Sequence, residues 1–351
     1  TAWGGGSANL DLLRTFAVLF VVISHLPISH VYFKHDHYVI QAMGLLGVGI
    51  FFVHTCFVLM MSLERLGSTE GTEQRGLKFL IRRFFRIYPL SIFTVLIVAA
   101  IGYMNSGSAP DLPMFISNLL LIQNITGHHS NPPPLWSLPF EVQMYLLLPL
   151  IYLGLERSKT YGLRFLFLLL IASIILVLVL WYLKLNYHLF KYIPCFIPGV
   201  MAFTLRKSRH RLSPVLFFTS LVFVALTIPY LVALGYKENL LLWPICLTIG
   251  LTLPFISELQ SFAIRAASKT IAKYSYGIYL IHMPWIGFSF VYLKNISPIL
   301  QWTIFLSGVG LLSFIAYRSI EEPFVKLGIR ISHYIGRAKP ADIVSPEFSS
   351  K

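Results

Sequence analysis

Apolar runs of about twenty residues recur along the chain, each closed by a short polar stretch. A run of that length spans the roughly 30 Å hydrocarbon core of a bilayer as a helix. The pattern predicts ten spans, at 10–28, 40–62, 80–103, 135–154, 163–183, 192–205, 214–234, 239–256, 274–293 and 299–317. The sixth is short. A further apolar stretch, 113–123, is too short to cross and is expected at the interface. No repeat, cleavable leader or separate soluble domain is evident. The expected fold class is all-α, a polytopic membrane helical bundle. The expected organisation is a flexible N-terminus over 1–8, a transmembrane domain over 9–334 and a cytoplasmic tail over 335–351.

Composition agrees with lipid as the solvent. Of 351 residues, 56% are hydrophobic and 12% charged, about half the charge of a typical soluble domain. The net charge of +14 does not point to nucleic acid, because the basic residues sit between apolar runs. Of 28 Lys and Arg, twenty-two fall in or beside the segments after the even-numbered spans and in the tail. Five fall after the odd-numbered spans, and Arg14 lies inside the first. The positive-inside rule then puts both termini in the cytoplasm. Cys56, Cys195 and Cys246 all lie in apolar segments without a metal or disulfide spacing, so they read as buried small hydrophobes.

Charged groups at membrane depth are costly and mark function or pairing. The first span carries Arg14 and His25. Eleven positions at about 100° each return nearly to the starting azimuth, so both lie on one face, about 16 Å apart along the axis. Asp11, one turn before Arg14, is its expected local partner. The alternatives are a snorkelling arginine and a structural histidine; the shared face argues against both together. The third span opens with Arg82, Arg83 and Arg86. Arginine forks suit phosphate oxygens, and a helix N-terminus there would add backbone donors. The same cluster also suits a positive-inside anchor. Glu141 in the fourth span is expected at the depth of His25, as a hydrogen-bonded partner or as a structural counter-ion. Trp136 reads as an interface anchor, and Tyr145 extends the Glu141 face. Tyr276, Tyr279 and His282 make a polar stripe on the ninth span, for packing or for chemistry. Arg318, Glu321, Glu322 and Pro323 read as a structural helix end. His54 has no assigned role. His30, His35, Asp36, His37, His128 and His129 in outer loops show no metal spacing, and no metal is expected.

Together these residues resemble the acyltransferase-3 family of integral membrane acyltransferases. The family's first-span arginine and histidine, ten residues between them, are matched by Arg14 and His25. Its RxxR segment is matched by Arg83 and Arg86, its WSLxxE motif by Trp136, Ser137, Leu138 and Glu141, and its YxxYLxH-like segment by Tyr276, Tyr279, Leu280 and His282. The ending resembles Glu322-Pro323, so the likeness runs from about 9 to 328. The second span departs: FFVHTCF, with Thr55 and Cys56, stands where the family has a small Ser-Gly pair. Many relatives carry a C-terminal esterase-like domain, and a stand-alone form is expected here.

The resemblance implies an acyl-CoA donor, with acetyl-CoA the expected form, and a carbohydrate or lipid-linked glycan acceptor. No permanently bound cofactor is implied. Arg14, Arg82, Arg83 and Arg86 would bind the donor. His25 and Glu141 would be catalytic, His25 as base and Glu141 as its orienting group. Ser137, Tyr279 and His282 are candidate oxyanion donors, and Asp11 and Tyr145 supporting polar groups. Direct transfer is expected, in the plasma membrane (the inner one if bacterial), as O-acetylation or a similar polysaccharide modification. A non-enzymatic transporter or flippase of a glycolipid or anion would use the same basic mouth, and a membrane sensor is a third reading.

Overall fold

The computed structural model describes residues 6–26, 37–67, 72–158, 161–185, 188–208 and 212–335. His30, Lys34, His35 and Asp36 lie outside them. Every extended element among the described residues is helical, apart from one isolated bridge between Leu212 and Ile256. In chain order these are α1 (Ala8–His25), α2 (His37–Gly67), α3 (Thr72–Ser106), α4 (Leu112–Leu119), α5 (Leu138–Arg157), α6 (Gly162–Tyr182), α7 (Ile193–Leu205), α8 (Pro214–Ala233), α9 (Glu238–Thr252), α10 (Phe262–Ile286), α11 (Pro298–Ala316) and α12 (Glu322–Ile335). The chain is a polytopic helical bundle.

Among the described residues, eight segments are long and apolar enough to cross a membrane. Two of the ten expected spans are not among these eight. Helix α7 has thirteen residues, about 20 Å, and ten of them are buried. It is a short, buried helix, and Arg206 just beyond it pairs with Glu64 near the end of α2. Helix α10 is long, but the expected span over 274–293 is diluted by Tyr274, Tyr276, Tyr279, His282 and Pro284 and passes into a π segment, Gly287–Tyr292. The 113–123 stretch folds as α4 and a single turn at Gln123–Thr126. It is tied down by Asn118, whose Nδ2 donates to the His129 carbonyl at 2.9 Å.

Helix α2 lies at the centre. Leu46, Ile50, Val53, Phe57, Met60 and Leu63 are buried along it, at the three- and four-residue steps that define one broad face. It packs against α1, α7, α8 and α9, while α10 closes on the other side of α1. Where α7 passes α2 there is no room for a side chain: a Cβ on Gly199 would strike the Val53 carbonyl. Small residues at crossings let apolar helices approach closely in lipid. On α6 the buried positions are Leu166, Leu170, Ser173 and Val177. The apolar residues around the rest of that helix, such as Leu168, Ile171 and Ile175, are exposed, as a lipid-facing surface requires.

The two ends of the described chain lie on one side. Ser7 donates through Oγ to Glu258 at 3.0 Å, and the Ala8 N–H also binds that carboxylate. Ser7 and Ala8, expected from the sequence in the flexible N-terminus, are therefore pinned, and residues 1–5 lie outside the described residues. At the other end the bundle departs from the expected helix stop at Glu322-Pro323. The chain runs from α11 through a π turn, Tyr317–Glu321, into α12, which lies along α3. Proline lacks an N–H and normally breaks the α-helical ladder, and here the π turn immediately before Pro323 carries the helix through it instead of ending it.

Candidate functional site

Two cavities that share lining residues lie among α1, α2, α3, α5 and α10. The inner one is lined by Arg14, Arg83, Arg86, Glu141, Tyr145 and Ser275, with an apolar wall from α2. The outer one holds about 250 Å³ and is lined by Ser24, His25, Trp136, Tyr192 and Glu238 among others. Val48 and Tyr279 line both. Arg14 and His25 thus face one cavity system from opposite ends of α1, and Val48 and Tyr279 stand between.

The inner cavity is a basic chamber with one free-standing carboxylate wall. Arg14 Nε donates to Ser275 Oγ at 2.6 Å, a hydroxyl on α10. The expected ion pair with Asp11 is not formed among the described residues, because Arg14 turns inward across to α10. Arg86 pairs with Glu321 at 2.5 Å, and Glu321 is 1% exposed. Arg83 lies over the Phe79 ring at 5.9 Å and its Nε has no hydrogen-bond partner. Glu141 accepts from Tyr145 Oη at 2.5 Å.

Arg82 was expected with this group, but its Nε donates to Ser332 Oγ on α12 at 2.8 Å. Helical azimuth explains the split. Arg86 falls between Arg83 and Arg82 around α3, so the chamber takes Arg83 and Arg86 while α12 takes Arg82. Nor do these arginines sit at a helix N-terminus. Helix α3 starts at Thr72, so the nearby N–H groups are already bonded within the helix and the expected backbone contribution is absent.

The outer cavity is organised around a pair of histidines. His25 ends α1. Its Nδ1 lies 2.8 Å from the Val21 carbonyl, 3.3 Å from Ser24 Oγ and 3.3 Å from His282 Nε2. The two rings are 5.2 Å apart. His282 is fully buried, and its other nitrogen, Nδ1, is 3.1 Å from the Ile278 carbonyl. The pairing expected between His25 and Glu141 is therefore not made. Equal depth does not bring two side chains together when their helices turn them to different chambers, and Glu141 is held with the arginines.

Tyr279 guards the passage. Its hydroxyl donates to the Pro134 carbonyl at 2.6 Å and lies 2.7 Å from Ser137 Oγ, which donates to it. The Pro-rich loop before α5 thus anchors to α10 at the level of the bottleneck. The three candidate oxyanion donors, Ser137, Tyr279 and His282, all have their protons engaged in this state. Trp136 is not a solitary interface anchor. Its ring lies tilted against Tyr192 at 5.2 Å, and Tyr192 also meets Phe140 edge-on at 4.9 Å, giving the outer cavity an aromatic wall. Beside that wall, in the turn before α7, burial lowers the Lys191 ammonium from its ordinary range, opposed by the Glu238 carboxylate.

His54 is buried on α2. Among the described residues no group of His, Cys, Asp and Glu could hold a metal, and the three cysteines are free and buried. The residues missed from sequence are Val48, Ser275, Tyr192 and Glu238. Glu321, which reads from sequence as part of a structural helix end, is the buried partner of Arg86.

The chain is thus a polytopic helical bundle with arginines lining one internal chamber and an imidazole pair beside a second. Comparison with known proteins gives its class. The chain matches the acyltransferase domain family, Acyl_transf_3, over residues 7–318, and it belongs to that family. It is also 33% identical over 163 residues to the acyltransferase MdmB of Streptomyces mycarofaciens; the match covers 41% of this chain and 38% of that relative. The chain therefore spans well under half the length of that curated relative. No solved structure matches it.

Proposed function

We propose that this protein moves an acyl group, acetyl or another short one, from cytoplasmic acyl-CoA to a hydroxyl of a cell-surface polysaccharide, glycolipid or related acceptor. It would act in the plasma membrane, the inner membrane if the source is bacterial. The observation that carries the reading is the pair of chambers sharing Val48 and Tyr279, one lined by Arg14, Arg83 and Arg86 and the other by His25.

The donor is polyanionic, and the guanidinium groups of the inner chamber would hold its phosphates. The separation of Arg14 from His25, about 16 Å along α1, suits an extended pantetheine arm. The thioester would then stand at the bottleneck. An acceptor hydroxyl entering the outer chamber gives its proton to His25 as its oxygen attacks the carbonyl carbon. The C–S bond breaks, the acyl–oxygen bond remains, and the departing thiolate takes the proton back from the imidazolium. The developing oxyanion would compete with the Pro134 carbonyl for the Tyr279 hydroxyl.

Purified protein in detergent, given radiolabelled acetyl-CoA and a glycolipid extract, should transfer or release the labelled acyl group. His25→Ala should abolish this while the protein remains folded and still binds the donor. Full activity in that variant would refute the role of His25. Failure of the unaltered protein to cleave the thioester at all would refute the reading.

A further inference from the structure

The outer chamber contains a second imidazole that the reaction above leaves without a task. Its geometry fixes where the protons of both rings lie. A backbone carbonyl can only accept a hydrogen bond. His282 Nδ1 faces the Ile278 carbonyl at 3.1 Å, so Nδ1 carries the hydrogen, and in the neutral ring Nε2 is a bare lone pair. His25 Nδ1 faces the Val21 carbonyl at 2.8 Å and that lone pair at 3.3 Å. Two acceptors converge on it, so it must carry a hydrogen as well. The Ser24 hydroxyl, at 3.3 Å, is itself spent as a donor to the Val21 carbonyl at 2.7 Å. The neutral His25 ring is therefore bare at Nε2, the nitrogen with no hydrogen-bond partner among the described residues.

We infer that His282 is a positioning residue: its Nε2, with the Val21 carbonyl, holds His25 in the Nδ1–H tautomer and thereby presents His25 Nε2 as the basic atom. This rests on the proposed role of His25 and extends it to the group that orients it. When His25 takes the acceptor's proton at Nε2, the cation's Nδ1–H gains strength as a donor toward both acceptors. The buried, neutral imidazole does here what a carboxylate does for other catalytic histidines. It orients the ring without placing a fixed negative charge where the acyl donor must arrive.

Steric supports hold the pair. His282 is fully buried on α10, beside Tyr279 with ring centres 6.1 Å apart. Ser24 is packed against Gly44 of α2, where any side chain would collide with its hydroxyl.

The test compares His282→Gln, whose amide oxygen can reach the His282 Nε2 position as an acceptor, with His282→Leu, which fills similar space with no acceptor. Cleavage of radiolabelled acetyl-CoA in the presence of glycolipid extract gives kcat and the donor KM. Loss of an oriented base costs roughly a hundredfold or more. His282→Leu should lose about that much in kcat with donor KM within about twofold, and His282→Gln should recover at least tenfold of the loss. Equal kcat in the two variants, whether both high or both low, overturns the inference, as does a fall confined to KM. Should either variant fail to fold, nitrogen NMR of histidine-labelled, otherwise unaltered protein decides. The resonance pair removed by His25→Asn should show the hydrogen on Nδ1; a hydrogen on Nε2 overturns the assignment. Thioester cleavage by the unaltered protein separates this outcome from failure of the proposed function itself.

Discussion

At the scale of single residues, the inner chamber depends on three arginines in three different situations. Arg83 has no carboxylate partner among the described residues and stands against Phe79, so in the proposed function it is the group expected to meet a phosphate. Arg83→Ala should weaken binding of CoA about tenfold, as expected for losing a charge-assisted hydrogen bond, with little change in melting temperature. Arg86 also neutralises Glu321. Removing one partner of a buried pair is worse than removing both, so Arg86→Ala should lower both CoA affinity and melting temperature. Adding Glu321→Gln should restore the melting temperature but not the affinity. Calorimetry with CoA and thermal unfolding in the same detergent check both. Equal unfolding temperatures for Arg86→Ala and its double variant would contradict the pairing. The alignment of Arg14 with His25 was legible from an eleven-residue step. The partners of those residues were not, because sequence gives a side chain's depth and its azimuth on its own helix. It does not give the rotation of one helix against another. That is why Glu141 was expected beside His25 and lies with the arginines instead, and why Arg82 faces α12.

At the scale of elements, hydropathy locates the crossing helices well where a helix is uniformly apolar, as in α6 and α8. It misleads where a helix is buried inside protein. Helix α7 is apolar all round because it is enclosed by α2, α6 and α9, not because lipid surrounds it. A fully apolar segment of thirteen residues looks the same in either setting. Its fit against α2 relies on Gly199. Gly199→Ala should destabilise the bundle by about 1–3 kcal/mol, the usual cost of overpacking, read as a lower melting temperature. An unchanged melting temperature would mean that the two helices are not in close contact. The α11–α12 segment makes the opposite point. A proline after two glutamates reads as a stop, yet a π turn lets the helix continue and carries Glu321 back to Arg86.

At the scale of the whole molecule, one architecture places two kinds of chemistry at two depths. Twenty-two of the 28 Lys and Arg fall in or beside the segments after the even-numbered expected spans and in the tail, Ser7 meets Glu258 in the segment after the eighth of them, and α12 lies along α3. A fluorescent protein fused after α12 should therefore fluoresce in the cytoplasm, while alkaline phosphatase fused there should stay inactive; the reverse pattern would invert the bundle. Eight of the ten expected spans and their order could be read from periodicity. The split into two chambers could not, because it arises from side chains of several helices, with Val48 and Tyr279 lining both.

The central claim is that the donor is held on the arginine side and its acyl group is passed through that bottleneck to the histidine side. Sealed vesicles of defined orientation, with glycolipid acceptor on the histidine face and radiolabelled acetyl-CoA supplied to one face at a time, measure this directly. Labelled acceptor should form only when acetyl-CoA is on the arginine face. Equal labelling from either face would contradict the account.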